Sequence, residues 1–367
     1  MKVVIAIDSF KGCLTSSQAN RAAVEGVRRV HPEAGIVQVP VSDGGEGFLE
    51  AFQAALGGTL VEVDVHDPLM RPVTAKYLIK EETAVIEMAQ ASGLTLLTKE
   101  ERNPLVATSY GTGELVADAV CRGARHVIVG LGGSATSDAG MGMLRAIQEF
   151  KGQGSRVKGQ RFKFQDSSFR FQDSVFRDVR FTIATDVENP LCGENGAARV
   201  FAPQKGATKE MVLQLDEQAR LFAEESARRF GYDRSLLPGA GAAGGLGYAF
   251  LQYLDADCRS GIQLLLEAIR FAETVKDADL VITGEGSADR QTLMGKLPMG
   301  ILQQSGSVPV CLIAGQICDR DELLKAGFAH VACINPDSLP LSQAMRKEVA
   351  MQRIAHTVSQ LFCQRFL

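Results

Sequence analysis

Acidic residues directly follow several predicted strands of this 367-residue chain. Asp8 follows the apolar run 3–7, Asp186 follows 181–185, and Glu285 follows 280–283. Ligands of open α/β sheets bind outside the carboxyl ends of the strands, so we expect carboxylates to collect there. Such carboxylates can hold Mg²⁺ or accept a proton from a reacting hydroxyl group. The further acids in this pattern are Asp43, Glu46 and Asp289.

Two glycine-rich loops could bring backbone amides close to an anion. The first, 130–136, follows a predicted strand, whereas the second, 239–247, does not. Both match the loose dinucleotide pattern. Neither, however, combines a preceding strand with an acid at the end of the next strand, as this pattern requires. The loops favour phosphate binding, although tight turns alone would also explain their glycines. The candidate anion-binding residues are Gly132, Gly133, Ser134, Gly241, Gly244 and Gly245.

Three lysines lie beside or near glycines in predicted loops: Lys11, Lys205 and Lys296. A lysine in such a place can bind phosphate or carboxylate, or it can be an ordinary solvated surface residue. The pair at 295–296 is not a P-loop, because Arg290 stands where that pattern requires glycine. None of the five histidines lies in a glycine-rich loop, which disfavours a histidine triad or a zinc site.

The composition is that of an ordinary globular protein. A net charge of −4 and a pI near 5.8 give no reason to expect nucleic acid or a membrane as partner. The eight cysteines form no CxxC pair, so reduced thiols are expected. The chain opens directly with a predicted strand and has no signal-peptide pattern, which predicts a cytoplasmic protein.

Strands and helices alternate along the chain, as in βαβ units. The rhythm is clearest at both ends, which predicts an α/β fold with a parallel-sheet domain built from both termini and a second α/β domain inserted between them. We expect the first domain to contain 1–65 and 270–367, and the inserted domain to contain 66–269. Single helices are predicted over 261–275 and 341–366, and a loop over 284–286.

Segment 151–180 contains a degenerate seven-residue repeat in which Phe alternates with basic residues. Alternation with a period of two is typical of a strand or meander with one buried face. Binding of single-stranded nucleic acid is the alternative for such a basic, aromatic segment.

The sequence resembles the type I glycerate kinase family in seven blocks that follow the family's order over almost the whole chain. The blocks are IAIDSFKG (5–12), PVSDGGEG (40–47), GLGGSAT (130–136), DVENPLCG (186–193), FAPQKGA (201–207), PGAGAAGGLG (238–247) and ITGEG (282–286). The resemblance implies a flavodoxin-like doubly wound domain formed by both termini, with ATP, Mg²⁺ and D-glycerate as ligands and 2-phosphoglycerate as product. Two departures stand out: Ile7 replaces the family's usual Pro, and Ser287 replaces its usual Arg.

Our mechanistic hypothesis gives each candidate residue an expected role in in-line phosphoryl transfer, which relies on positioning and charge neutralisation. Glu285 and Asp289 would hold Mg²⁺, while Lys11 and Lys296 would neutralise anionic charge. Asp186 is the first candidate for the base and Asp43 the second. The remaining candidates for substrate or nucleotide binding are Asp8, Ser9, Glu46, Asn189 and Lys205, with the glycines and Ser134 named above.

Other functions stay open at this point. The chain could phosphorylate a related small hydroxy acid, or it could be a non-catalytic regulator that binds a small acid. A dinucleotide-dependent dehydrogenase would need a glycine-rich loop with an acid at the end of the next strand, and neither loop has that acid. The density of acids in the loops disfavours the regulator, because buried carboxylates are costly without a cation. The sequence also leaves a homo-oligomer open.

Overall fold

The chain forms two α/β units. The computed structural model describes residues 1–42, 45, 47–149, 176–336 and 338–363. Unit 1 comprises Met1–Asp43, Glu50–Leu56 and Gly261–Leu367, and unit 2 comprises Gly44–Leu49 and Gly57–Ser260. Unit 1 thus takes its residues from both ends of the chain. The domain limits near residues 65 and 270 stay a prediction.

Unit 1 is built on a five-stranded parallel sheet. Its strands are β1 (Lys2–Ile7), β2 (Gly35–Gln38), β9 (Leu280–Ala288), β10 (Val310–Ile317) and β11 (His330–Cys333). Their order across the sheet is β11-β10-β9-β1-β2. Counted along the unit, this is the 2-1-3-4-5 order of flavodoxin-like folds, so the predicted fold class is confirmed.

Helices cover this sheet. They are α1 (Ser16–Val30), α2 (Phe48–Leu56), α9 (Gly261–Ala268), α10 (Phe271–Val275), α11 (Leu297–Gln304), α12 (Arg320–Lys325), α13 (Leu341–Ala344) and α14 (Lys347–Cys363). The core joins the fully buried side chains of β1 to the inner faces of α1 and α14. Thr15 begins α1 through a capping box with Gln18, as its residue type predicts.

Unit 2 contains a six-stranded mixed sheet in the order β3-β4-β5-β6-β7-β8. Its strands are β3 (Thr59–His66), β4 (Pro72–Lys80), β5 (Thr83–Glu87), β6 (His126–Gly130), β7 (Arg180–Ala184) and β8 (Asp257–Arg259). The pairs from β3 to β5 are antiparallel, and those from β5 to β8 are parallel. Its helices are α3 (Ala89–Ser92), α4 (Tyr110–Cys121), α5 (Met141–Glu149), α6 (Ala197–Phe201), α7 (Lys209–Phe230) and α8 (Ala242–Leu254).

Three predicted element boundaries are wrong. Residues 284–286 belong to β9 rather than to a loop, because the ladder with β10 continues through the pairs Ala314–Glu285 and Gln316–Ser287. The helix predicted over 261–275 breaks at Arg270, whose φ is 49°, and the chain turns so that Phe271 becomes fully buried. The helix predicted over 341–366 is divided into α13 and α14, with 364–366 outside the described residues.

Most of the repeat segment, 151–175, lies outside the described residues, so the strand predicted there stays a prediction. Phe176 stacks on Phe181 of β7 with ring centroids 6.4 Å apart. Within the described part of the chain, no helix is both long enough and apolar enough to cross a membrane.

Close packing of α1 on α14 requires glycine at position 26. A Cβ atom there would lie 2.5 Å from Ala355 O and 2.7 Å from Val358 Cβ. We predict that Gly26→Ala lowers the free energy of unfolding by about 1–3 kcal/mol through overpacking, although Ala favours a helix over Gly by about 1 kcal/mol. Urea unfolding followed by circular dichroism measures the change.

Glu25→Ala is the matched control, because Glu25 is the exposed neighbour on the same helix and its change should stay within about 0.5 kcal/mol. Stabilisation by Gly26→Ala would show that helix propensity outweighs the α1–α14 contact.

Candidate active site

A pocket of about 920 Å³ lies at the carboxyl edge of the unit 1 sheet. Its walls come from the ends of β1, β9, β10 and β11 and from the loops that follow them. Five of the sequence-predicted site residues line it: Asp8, Ser9, Lys11, Glu285 and Lys296. Its size falls in the range of about 300–1,000 Å³ that is usual for small-molecule sites. The structure therefore brings these five residues to one place.

Asp8 and Glu285 are neighbours because β1 and β9 pair in parallel. Ile7 pairs with Gly284, so the next residue of each strand is an acid, and Asp8 N donates to Gly284 O at 2.9 Å. Both acids are buried, with 8% of each side chain exposed. The Asp8 carboxylate also accepts a hydrogen bond from Ser9 N at 2.7 Å. Because the pairing of β1 with β9 holds both buried carboxylates, their positions are fixed, as a ligand site requires.

The side chain of Thr292, which the sequence analysis missed, orients Glu285. Its buried hydroxyl donates to Glu285 Oε1 at 2.7 Å and accepts from Asp289 N at 3.0 Å. Asp289 Oδ1 in turn accepts from Gln291 N at 2.8 Å. A single hydroxyl thus connects the two predicted metal ligands. The signal in the sequence was the capping pair formed by Asp289 and the Thr three residues later.

The two lysines of this pocket are less constrained than its acids. Lys11 is exposed, and Lys296 is half-buried with its Nζ 3.3 Å from Gln291 Oε1. The turn that precedes Lys296 requires Gly295, whose φ is 92°. Both lysines present an ammonium group to a pocket that also contains two carboxylates. Such a site suits a ligand that combines anionic groups with a metal ion.

In unit 2, Lys205 is completely buried and holds the first glycine-rich loop. Its Nζ donates to Ser134 Oγ at 2.7 Å and to Thr136 O at 2.6 Å. Burial lowers the pKa of Lys205 to about 7, and the nearby Asp138 carboxylate acts in the opposite direction. Lys205 is therefore a positioning residue for the loop in this structure, although its sequence context suggested a residue that binds the ligand.

Asp138 organises the other end of the same loop. Its carboxylate accepts hydrogen bonds from Ser109 N at 2.8 Å and from the backbone amides of Gly140 and Gly142 at 3.1 Å. These contacts explain why α5 begins only at Met141, after the glycine-rich part. Between the two anchors, Gly133 is exposed with a φ of 76°, which leaves its backbone open to a ligand. Ser134 is buried beside it, and Gly132 is half-buried.

Internal packing explains the glycines of the second loop. Gly244 and Gly245 have φ values of 69° and 88° inside the span of α8. A Cβ at Gly244 would lie 2.7 Å from Ser137 Cα, and one at Gly245 would lie 2.6 Å from a Leu191 methyl carbon. This loop therefore packs against the segment 136–139, and its glycines have a structural reason that does not involve a ligand.

Asp186 follows β7 and is exposed. Burial, and then the Asp186 carboxylate, raises the pKa of the nearby Cys258 thiol. In the same loop Asn189 accepts from Gly241 N at 2.8 Å through its backbone carbonyl, and its Nδ2 donates to Asn195 O at 2.9 Å. The Asp186 loop is thus tied to the second glycine-rich loop. The two other candidates, Asp43 and Glu46, lie outside the described residues.

The comparison with protein families decides the assignment of this chain. The model of the glycerate kinase family matches residues 3–364. The chain belongs to the glycerate kinase family. It is therefore a kinase, and the resemblance seen in the sequence is confirmed.

Named relatives of this kinase agree with the family. The glycerate kinase of Halalkalibacterium halodurans is 42% identical over 355 residues, which cover 94% of this chain and 93% of the relative. The glycerate 2-kinase of Escherichia coli is 42% identical over 328 residues, which cover 87% of this chain and 86% of the relative. A crystal structure described as glycerate kinase 2 from Salmonella typhimurium LT2 superposes with a TM-score of 0.78 at 36% identity, and it covers 99% of this chain and 98% of that one.

Ser287 is the position at which this kinase departs from the family pattern noted in the sequence. Ser287 is exposed in β9 at the wall of the pocket. Arg290 is the next basic residue along the chain, but its guanidinium binds Glu322 at 2.5 Å and lies near Asp319. Among the described lining residues, the cations near the β1–β9 end are Lys11 and Lys296.

The burial of Lys205 predicts the direction in which the unfolding free energy changes with pH. The folded state holds this proton less tightly than the unfolded chain, so stability rises with pH between about 7 and the ordinary lysine value of 10.5. We predict that the difference in unfolding free energy between wild type and Lys205→Met grows by about 3 kcal/mol in favour of wild type from pH 7 to 9.5. Urea unfolding at several pH values measures this difference.

Lys209→Met is the control, because Lys209 is an exposed lysine at the start of α7. A Lys205→Met difference that stays flat over this pH range, or that falls, would contradict the lowered pKa of Lys205.

Proposed function

We propose that this kinase transfers the γ-phosphoryl group of ATP to a hydroxyl of D-glycerate and forms 2-phosphoglycerate and ADP. The observation that carries the proposal is the unit 1 pocket, where two buried carboxylates and two lysines line the carboxyl edge of a parallel sheet. The relatives named glycerate kinase and glycerate 2-kinase support the acceptor and the position of the phosphate. We expect the reaction to take place in the cytoplasm, where free cysteines such as the eight of this chain stay reduced.

Lys11 and Lys296 supply the positive charge that phosphoryl transfer requires. In this reaction negative charge spreads over the oxygens of the transferred group, and positioned cations stabilise it. These long lysine side chains form no salt bridge among the described residues, so they can reach such oxygens without first breaking one. The backbone of Gly132 and Gly133 and the Ser134 hydroxyl are our candidates for a second anionic group, such as the carboxylate of glycerate.

Glu285 and Asp289 fit the magnesium ion that ATP-dependent kinases use. Mg²⁺ is usually bound by one or two carboxylates together with substrate phosphates, so a larger acidic cluster is not required. Glu285 lines the pocket, and Thr292 fixes the orientation of its carboxylate. When bound, the ion neutralises charge on the phosphates. Asp8 and Ser9, at the adjacent strand end, are further candidates for contacts with the phosphates or their bound water.

Asp186 is our first candidate for the base, with Asp43 second. A hydroxyl nucleophile needs an acceptor for its proton within hydrogen-bond reach. Asp186 is exposed just beyond the end of β7 in unit 2, and its loop is held by the contacts of Asn189. An exposed carboxylate on an anchored loop is accessible to a substrate and still has a restricted position.

A coupled ADP-release assay with ATP, Mg²⁺ and D-glycerate tests the proposed reaction. We expect ADP release that depends on D-glycerate and exceeds the rate with L-glycerate, and phosphorus NMR should place the new ester on the 2-hydroxyl. Release with another hydroxy acid alone would keep the kinase and change its acceptor. Without turnover of any hydroxy acid, the proposal fails.

Substitution of Asp186 tests its role as base. We predict that Asp186→Asn lowers kcat by on the order of 10²–10⁴-fold and leaves ATP affinity nearly unchanged, because the amide cannot accept the proton. Steady-state kinetics and calorimetric titration with ATP measure both quantities. Glu188→Gln, at another exposed acid of the same loop, is the matched control and should keep nearly full activity. A kcat close to wild type in Asp186→Asn would remove this residue from the role.

A further inference from the structure

The pair formed by Ser134 and Lys205 has the geometry of a nucleophile and its base. Lys205 Nζ lies 2.7 Å from Ser134 Oγ, and its other contact, at 2.6 Å, is with Thr136 O. Lys205 is 2% exposed and Ser134 is 8% exposed, so both groups are largely removed from water. An amine at this distance can accept the proton of the hydroxyl group when the hydroxyl attacks an electrophile.

The neutral form of the Lys205 amine, which such a base requires, is populated near neutral pH. Burial lowers its pKa to about 7, and the Asp138 carboxylate opposes this effect. The charged residues around this segment also include Arg102, whose backbone packs against Gly206. In the neutral form, Ser134 Oγ can donate its hydrogen to Nζ along the same 2.7 Å contact, while an N–H of the amine still donates to Thr136 O.

The backbone beside Ser134 offers donors for an oxyanion. Within the described part of the chain, the amides of Gly133 and Ser134 donate to no backbone carbonyl. The bonds on either side fix this part of the loop, since Leu94 N donates to Gly133 O at 2.8 Å and Ala135 N donates to Ser92 O at 2.9 Å. Amides held in place by their neighbours can stabilise negative charge on a reacting carbonyl oxygen. Because Gly133 is exposed, a small ligand can reach them.

We propose that Ser134 is a nucleophile activated by Lys205, and that the chain hydrolyses small carboxylic esters at this serine. The amides of Gly133 and Ser134 bind the carbonyl oxygen during the attack. The acyl group must be small, because Gly133 is exposed but Ser134 itself is buried. This activity goes beyond phosphoryl transfer and needs neither ATP nor a metal ion.

The reaction has two steps. In the first, Ser134 Oγ bonds to the carbonyl carbon and gives its proton to Lys205 Nζ, and the bond to the alkoxide breaks as the alkoxide takes that proton and leaves as an alcohol. In the second, water attacks the acyl-serine and gives a proton to Nζ. The bond from the acyl carbon to Ser134 Oγ then breaks, Oγ takes the proton back, and the carboxylic acid leaves. An ester and a water become an acid and an alcohol, and the amine ends neutral.

Hydrolysis of p-nitrophenyl acetate by the full chain, without ATP, Mg²⁺ or glycerate, tests this site. We expect p-nitrophenolate release and, after quenching in acid, an acetyl group on Ser134 in peptide mass spectrometry. Ser134→Ala should lose this adduct and the part of the rate that depends on it. Lys205→Met, checked for folding by circular dichroism, should lower that part by on the order of 10²-fold, because the base is lost. Exposed cysteines such as Cys121 can also react with this ester, but they contribute equally to every variant.

Ser137→Ala is the matched control. Ser137 is buried to the same extent as Ser134 in the same loop, and its hydroxyl has no hydrogen-bond partner among the described residues. This variant should keep the wild-type rate and the adduct on Ser134. The rate that depends on Ser134 should rise with pH through about 7 and then level off, since the neutral amine is the base.

Equal rates in the wild type and Ser134→Ala would overturn the proposal, as would acetylation confined to other residues. A folded Lys205→Met that keeps the wild-type rate would remove Lys205 from the role of base. The assay contains no nucleotide, so its failure would leave the proposed kinase reaction standing.

Discussion

The parallel pairing of β1 with β9 is the constraint on which unit 1 depends. It joins residues near the start of the chain to residues about 277 positions later, and the buried Thr283 hydroxyl adds a bond to Ala6 O at 2.8 Å. Closing so long a loop costs entropy, which the complete burial of the strand interiors offsets. The same register places Asp8 beside Glu285. A slip of β1 by one residue would turn Asp8 to the opposite face of the sheet and separate it from Glu285.

In unit 2, the buried Lys205 holds the first glycine-rich loop. Removing an ammonium group from water is costly, and the cost is visible in the lowered pKa of Lys205. Two short hydrogen bonds to the loop and the field of Asp138 offset it. Their effect is to hold Ser134 and Thr136 in place, and Gly244 then packs against the same segment. The loop with the exposed Gly133 is therefore held at both sides, which lets its backbone face a ligand without collapsing.

Local signals were sufficient for part of this structure. The apolar run of β1, the Thr15 cap and the alternation of strands and helices were readable, and the rule that parallel strands end at one edge predicted that Asp8 and Glu285 would meet. Long-range contacts decided the rest. Glu285 lies inside β9 because β10 extends the ladder, Arg270 breaks a helix so that Phe271 can be buried, and the burial of Lys205 depends on a loop about 70 residues earlier. In each case the deciding contact comes from a distant or buried part of the fold, which the neighbouring sequence does not indicate.

Acids and cations of the pocket are held in different ways, and the difference suits phosphoryl transfer. Asp8, just after β1, and Glu285, inside β9, are both buried, and each accepts a hydrogen bond that fixes its carboxylate. Lys11 is exposed on a loop, and Lys296 has only a long contact with Gln291. Fixed carboxylates define where a metal ion would sit, and a poorly placed ion would misdirect the phosphate. Flexible ammonium groups can follow charge as it moves from donor to acceptor.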